Sequence, residues 1–113
     1  NLFEELPNFP DNLIELNIAN NPTTNIHILP NSLTELTISV YQILILDENN
    51  INNFVQNEDF TLFIVDQSNY NDLSQDKYEI INSKIQTFKT IFGNRLTIKC
   101  KKYFSKLRLP TAS

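Results

Sequence analysis

The chain has 113 residues, of which 41% are hydrophobic, and a formal net charge of −4. This length suffices for one compact domain and is too short for two. It holds no apolar run near the roughly 20 residues that cross a bilayer and no recognisable secretory leader, so we expect no membrane partner. A single cysteine, Cys100, excludes an internal disulfide and favours an intracellular location. Because the sequence contains no methionine, we expect it to be part of a longer protein.

Charge is distributed unevenly along the chain. Residues 1–76 contain 12 Asp and Glu and no Lys or Arg, whereas residues 95–113 contain six Lys and Arg and no acidic residue. The sequence therefore predicts an acidic body followed by a basic tail.

Two stretches near the N-terminus repeat one pattern with a shift of 20 residues. LPNFPDNLIELNIANN, residues 6–21, aligns with ILPNSLTELTIS, residues 28–39, so that prolines, leucines and a glutamate coincide. In each stretch two apolar residues alternate around a polar one, Leu16 and Ile18 in the first, Leu36 and Ile38 in the second. This alternation predicts two short parallel strands whose apolar residues stack into a shared core.

The repeat resembles a leucine-rich repeat protein of the short type, whose units follow L-P-x-x-L-x-x-L-x-I, and Leu13, Leu16, Ile18 and Asn21 carry the resemblance. It is also similar to FNIP-type repeats of amoebae and giant viruses, a viral or protist source that the many Asn and Ile residues also favour. The resemblance implies an α/β fold, a leucine-rich repeat solenoid fragment with short parallel strands and a C-terminal capping helix and strand. It further implies that Asn21 bonds the turn that leaves the first strand. Tyr41 stands at that position in the second unit, where we expect no regular turn.

The register is lost after residue 40. YQILILDENNI, residues 41–51, matches the pattern again, but it follows the second unit too closely to form a separate coil, because a parallel crossover needs about a dozen residues. Either the second strand extends through Leu46 or the match is accidental.

A third, irregular coil is predicted for FTLFIVDQS, residues 60–68. Its core positions are assigned to Phe60, Phe63 and Val65, by analogy with Leu33, Leu36 and Ile38. The same register places Leu62 and Ile64 on the concave face, where the capping helix, the basic tail or a partner would have to cover them.

The clearest helix signal is SQDKYEIINSKIQTFKTIFG, residues 74–93. Ser74 suits the N-cap, Asp76 the first turn, and Gly93, the only glycine, the C-terminal end. One apolar stripe contains Tyr78, Ile81, Ile85, Phe88, Ile91 and Phe92. We expect the helix to pack on the open end of the stack, with RLTIKC, residues 95–100, as a closing strand. The chain is thus divided into leucine-rich repeat coils, 1–69, and a C-terminal capping region with a basic tail, 70–113.

No pattern typical of an enzyme is present. With one His and one Gly there is neither a metal-ligand spacing nor a phosphate-binding loop, and His27 is assigned a structural or solvated role rather than a ligand role. Lysines beside Cys100 would lower the pKa of a reactive thiol, but a small core residue on the last strand is the preferred interpretation. The acidic pairs at 47–48 and 58–59 lack the spacing of a calcium loop and are assigned to solvated loops. We predict no catalytic residue, no cofactor and no metal.

The strand face opposite the core is the predicted binding surface. In the repeat register Glu15 lies beside Glu35 and Asn17 beside Thr37, and adjacent like charges are unfavourable. A Lys or Arg of a protein partner would relieve that repulsion; alternatively, both glutamates are simply hydrated. We therefore predict a non-enzymatic protein–protein interaction module that uses Glu15, Asn17, Glu35 and Thr37.

The basic tail offers an alternative site for nucleic acid or phosphate. It interleaves aromatic residues with Lys99, Lys101, Lys102, Lys106 and Arg108, a mixture that binds phosphates and stacks on bases. Alternatively, its apolar residues complete the cap and its charges face water or the acidic body. A third role, substrate recruitment for a ubiquitin ligase elsewhere in the protein, is implied only by the resemblance to bacterial effector repeats.

Overall fold

The structure is a computed structural model, and it describes residues 9–19, 29–55, 59–65 and 74–101. In chain order the elements are β1 (Glu15–Asn17), β2 (Glu35–Ser39), a 3-10 helix (Val40–Ile45), α1 (Glu48–Phe54), β3 (Phe60–Val65), α2 (Gln75–Phe92), a short 3-10 helix (Gly93–Arg95) and β4 (Leu96–Cys100). The protein is therefore mixed α/β. The predictions for Asn21, His27, Glu58, Lys102, Lys106 and Arg108 fall outside the described residues.

The four strands form one parallel sheet in the order β1-β2-β3-β4. β1 pairs with β2 in the predicted register, with Glu15 opposite Glu35, which confirms the 20-residue shift between these strands. The shift grows to 26 residues at the next pairing, where Glu35 lies opposite Thr61, and to 36 at the last, where Thr61 lies opposite Thr97. The connections from β2 to β3 and from β3 to β4 each contain a helix, so they are longer than the connection from β1 to β2.

Both N-terminal units enter their strands through the same turn. The Leu13 amide donates to the Pro10 carbonyl at 3.2 Å, and the Leu33 amide donates to the Pro30 carbonyl at 3.4 Å. Proline fixes its own φ angle and needs no amide donor, which suits the start of such a turn. The repeat seen in the sequence is thus also a repeat of backbone hydrogen bonding.

One face of the sheet carries the core. Its buried residues are Ile18, Leu36, Ile38, Phe60, Leu62, Ile64, Leu96 and Ile98. The prediction that Leu62 and Ile64 lie on the opposite face is wrong, because they pair with Leu36 and Ile38 and are 2% and 0% exposed. Phe63 and Val65 point away from the core and are half-buried. A shift of one residue exchanges the two faces of a strand, and that shift separates the predicted register from the observed one.

Residues 41–46 form neither a longer strand nor another coil. β2 ends at Ser39, and Val40–Ile45 is a 3-10 helix, so the pattern match at 41–51 is accidental. The Gln42 side chain, which is fully buried, accepts a hydrogen bond from the Ser39 amide at 2.7 Å and donates one to the Ile18 carbonyl at 2.9 Å. It thereby ties the 3-10 helix to the end of β1.

The ends of α2 agree with the sequence prediction. Ser74 is the N-cap and accepts a hydrogen bond from the Lys77 amide at 3.3 Å, and Gly93 ends the helix with a φ angle of 56°. The predicted apolar stripe is buried except for Ile91, which is 41% exposed; the buried Asn82 was not predicted.

The predicted location of α2 at an open end of the stack is wrong. The helix packs against the 3-10 helix Val40–Ile45 and against β4, and its apolar stripe joins the core on one face of the sheet. It lies in the connection from β3 to β4, and a crossover between parallel neighbours must return along a face of the sheet. β4 is the last strand of the sheet, as predicted, and the division at residue 70 stays a prediction.

Candidate functional site

The face of the sheet opposite the core, called here the outer face, carries two rows of side chains across the strands. The first row is Glu15, Glu35, Thr61 and Thr97, and the second is Asn17, Thr37, Phe63 and Lys99. All four predicted partner-binding residues line one open cleft of about 310 Å³, the outer cleft, together with Leu16 and Lys101. The structure therefore brings the predicted residues together in one concave region.

Two carboxylates give the outer cleft its acidic side. Glu15 is exposed and Glu35 is half-buried, and they stand opposite each other on strands that lie about 4.8 Å apart. Within the part of the chain that the structure describes, no ion pair neutralises either carboxylate. Lys101 lines the same cleft but forms no ion pair with them, so a cation placed between the two carboxylates would be stabilised by both.

Asn17 and Thr37 differ in what they contribute to the surface of the outer cleft. The Asn17 side-chain oxygen accepts a hydrogen bond from the Ala19 amide at 2.9 Å, so it supports the chain that leaves β1. Thr37 is only 6% exposed, because it lies on an inner strand between Asn17 and the larger Phe63. Thr37 therefore forms the floor of the cleft, and a partner would contact mainly the two glutamates and the exposed Asn17.

A cation and an aromatic ring border the acidic side. The Lys101 ammonium lies 4.9 Å from the centroid of the Phe63 ring, where the ring face attracts a positive charge. Lys99 is exposed on the same face, one strand away from Phe63. Two residues of the alternative basic patch thus share the outer face with the glutamates. The sequence prediction missed Phe63 because it assigned this residue to the core.

The only cysteine is poorly suited to nucleophilic chemistry. Cys100 is half-buried at the end of β4, and burial raises the pKa of its thiol. This shift is opposite to the one that neighbouring lysines would cause, so little thiolate is present at neutral pH. Cys100 packs against the core, in agreement with its predicted role as a small core residue on the last strand.

The described residues form neither a cluster of metal ligands nor a membrane-spanning helix. Across 9–19, 29–55, 59–65 and 74–101, no group of three or more His, Cys, Asp or Glu side chains could hold a metal ion. In those same segments, the helices are too short or too polar to cross a membrane. Comparison of the chain with protein-family models, with curated proteins and with solved structures gives no match.

Proposed function

We propose that this chain is a non-enzymatic protein-binding module, a fragment of an intracellular leucine-rich repeat solenoid, and that its outer cleft binds a basic side chain of a partner protein. The observation that carries the proposal is the lining of the outer cleft. Four residues chosen from the repeat alone meet there, and two of them are carboxylates without an ion-pair partner among the described residues.

The solenoid part of the proposal rests on three coinciding repeats. The residue pattern, the turn that follows Pro10 and Pro30, and the pairing of Glu15 with Glu35 all recur with the same shift of 20 residues. The strands also pair in chain order, as the stacking of successive coils requires. A chain built in this way presents one side chain per coil at each position of its outer face.

The chemistry of the outer cleft suits a Lys or Arg side chain. Its positive end would lie between Glu15 and Glu35, and charge-assisted hydrogen bonds to carboxylates are about twice as strong as neutral ones. Lys101 stands at the border of the cleft beside Phe63, so an acidic residue next to the partner's basic one would also be paired. We therefore expect the partner segment to carry a basic residue with an acidic neighbour.

The competing function is nucleic-acid or phosphate binding through Lys99 and Lys101 and the rest of the basic tail. Its support is that both lysines lie beside Phe63 on one face, where a base could stack. Glu15 and Glu35 lie on that same face and would repel phosphates, so protein binding is the better-supported function. A salt titration against a single-stranded oligonucleotide distinguishes the two, because phosphate neutralisation makes affinity fall steeply with salt.

The test is selection of short random peptides on the immobilised protein, followed by affinity measurements on the enriched peptides. We expect Lys- and Arg-containing peptides whose affinity falls about tenfold or more in Glu15→Lys/Glu35→Lys. The matched control is Asp59→Lys/Glu79→Lys, which makes the same change in net charge at two exposed positions outside the outer cleft. Equal affinity for both double variants would show that the outer cleft is not the binding site.

A further inference from the structure

A second cleft lies between α2 and the segment that joins the 3-10 helix to α1, and it is called here the helix groove. Its volume is about 330 Å³, and it is lined by Leu46, Asp47, Glu48, Ile80, Ser83, Lys84, Thr87 and Phe88. α2 packs on the core side of the sheet, and the helix groove shares none of its described lining residues with the outer cleft. It is an independent candidate for binding.

The interior of the helix groove is apolar. Leu46 and Phe88 belong to the core and are 0% and 3% exposed, so only their edges reach the groove. Ile80, by contrast, keeps 47% of its surface exposed although it stands on the same helix. A hydrophobic side chain placed in the groove would remove the exposed part of Ile80 from water, which is the main source of affinity in apolar docking.

The one ammonium among the described residues of the helix groove is already engaged. The Lys84 Nζ donates to the carbonyl oxygens of Ile43 at 3.4 Å, Leu44 at 2.9 Å and Leu46 at 2.6 Å. It thereby satisfies carbonyls at the C-terminal end of the 3-10 helix. Burial lowers the pKa of Lys84, and the charge of Asp47 partly offsets this effect. Lys84 is therefore a structural group, and its hydrogen-bonding capacity is used within the protein.

The rim of the helix groove is acidic. Among the described lining residues, Asp47 and Glu48 contribute two carboxylates against the one ammonium of Lys84, which leaves a net negative charge. Glu48 is exposed, so its charge is available to a ligand that approaches from solvent. A ligand that combines an apolar group with a positive charge is thus complementary to both the interior and the rim.

We infer that the helix groove docks a short segment of a partner protein that presents a large aliphatic side chain beside a Lys or Arg. The volume is at the lower end of the range of about 300–1,000 Å³ found for small-molecule sites, and the groove is open along one side. These dimensions suit one or two side chains of a peptide better than a cofactor. The aliphatic side chain contacts Ile80 and the edge of Phe88, and the basic side chain pairs with Glu48.

The experiment uses random peptides selected on the whole protein and sorted by two pairs of single variants. Ile80→Ser and Ile91→Ser make the same exchange on two comparably exposed isoleucines of α2, 47% and 41%, of which only Ile80 lines the helix groove. Glu48→Gln and Glu79→Gln each remove one exposed carboxylate, of which only Glu48 lines it. Because all four positions are exposed, circular dichroism and thermal melts are expected to match the wild type.

We expect a class of enriched peptides with a large aliphatic residue next to Lys or Arg. Their affinity should fall about tenfold in Ile80→Ser and severalfold in Glu48→Gln, and stay unchanged in Ile91→Ser, Glu79→Gln and Glu15→Lys/Glu35→Lys. The last variant separates this site from the outer cleft, so either can fail without the other.

Three outcomes would overturn the inference. The first is the absence of any peptide class that distinguishes Ile80→Ser from Ile91→Ser. The second is an Ile80-dependent class that contains no basic residue or ignores Glu48→Gln. The third is sedimentation in which the wild type self-associates and Ile80→Ser does not, since this would assign the helix groove to a second copy of the chain.

Discussion

Replacement of Gln42 by leucine is expected to destabilise the fold by about 3 kcal/mol. The Gln42 side chain is 0% exposed and forms hydrogen bonds with the Ser39 amide at 2.7 Å and the Ile18 carbonyl at 2.9 Å, both of which belong to fully buried residues. Loss of a buried hydrogen bond costs about 1–3 kcal/mol, so two such bonds contribute about 4 kcal/mol. Leucine has a similar size, and its more favourable burial returns about 1 kcal/mol.

Urea and thermal unfolding followed by circular dichroism would measure this loss. A decrease of about 3 kcal/mol corresponds to a fall in Tm of roughly 10–20 °C for a domain of this size. The matched control is Gln75→Leu, the same exchange at an exposed position, which should stay within about 0.5 kcal/mol of the wild type. If Gln42→Leu also stays within that range, the side chain does not join the 3-10 helix to β1, and the reasoning fails.

Three further predictions concern single positions. Leu62→Ala should cost about 2–5 kcal/mol in urea unfolding and Phe63→Ala clearly less, because Leu62 is buried in the core and Phe63 lies on the outer face. A larger loss for Phe63→Ala than for Leu62→Ala would instead support the register predicted from the sequence. Gly93→Ala should cost about 1–2 kcal/mol in thermal unfolding, through backbone strain alone, since its φ angle is 56° and an added Cβ would meet no atom within 4 Å. The Cys100 thiol should be alkylated more slowly in the folded than in the unfolded protein, and its pH–rate midpoint should lie above that of a free thiol, because burial raises its pKa; equal rates would show that Cys100 is exposed.

The parts of the fold that were predictable share a strong local signal. The pairing of Glu15 with Glu35 follows from a repeat in which prolines, apolar residues and glutamates all keep one spacing, so a shifted register would break several agreements at once. The ends of α2 were predictable because the Ser74 side-chain oxygen can cap the first turn of a helix, and Gly93 can adopt the positive φ angle that often ends one.

The predictions that were wrong concern segments whose sequence pattern is ambiguous. FTLFIV, residues 60–65, is apolar at five of six positions, so alternation cannot decide which face is buried, and the observed register depends on pairing with β2. Ile91 is next to Phe92 in sequence but about 100° around the helix from it, and the width of the buried face depends on what the helix packs against. Residues 41–46 match a strand pattern, yet the buried Gln42 and the contacts with α2 favour a 3-10 helix.

The candidate site was predictable only where it lies on the repeat. Glu15, Asn17, Glu35 and Thr37 were placed together because strand pairing carries one register across β1 and β2. The proximity of Lys101 to the same cleft was not predictable, because it depends on the long crossover that pairs Thr61 with Thr97 and brings β4 next to β3. The burial of Thr37 likewise depends on Phe63 of β3, the strand whose register was predicted wrongly.

Among the described residues, β1 is an edge strand of three residues that pairs with β2 alone, whereas β2 has neighbours on both sides. Glu15 of the outer cleft thus lies on a strand with one described neighbour, and Glu35 lies on a strand with two. A local opening of β1 would separate the two carboxylates while the other strands stay paired, so a bound partner and the native position of β1 would stabilise each other. Affinity at the outer cleft then depends on the strength of the sheet edge as well as on the glutamates. Loss of the hydrogen bond from Gln42 to Ile18, the residue that follows Asn17 of the outer cleft, would weaken binding through this coupling.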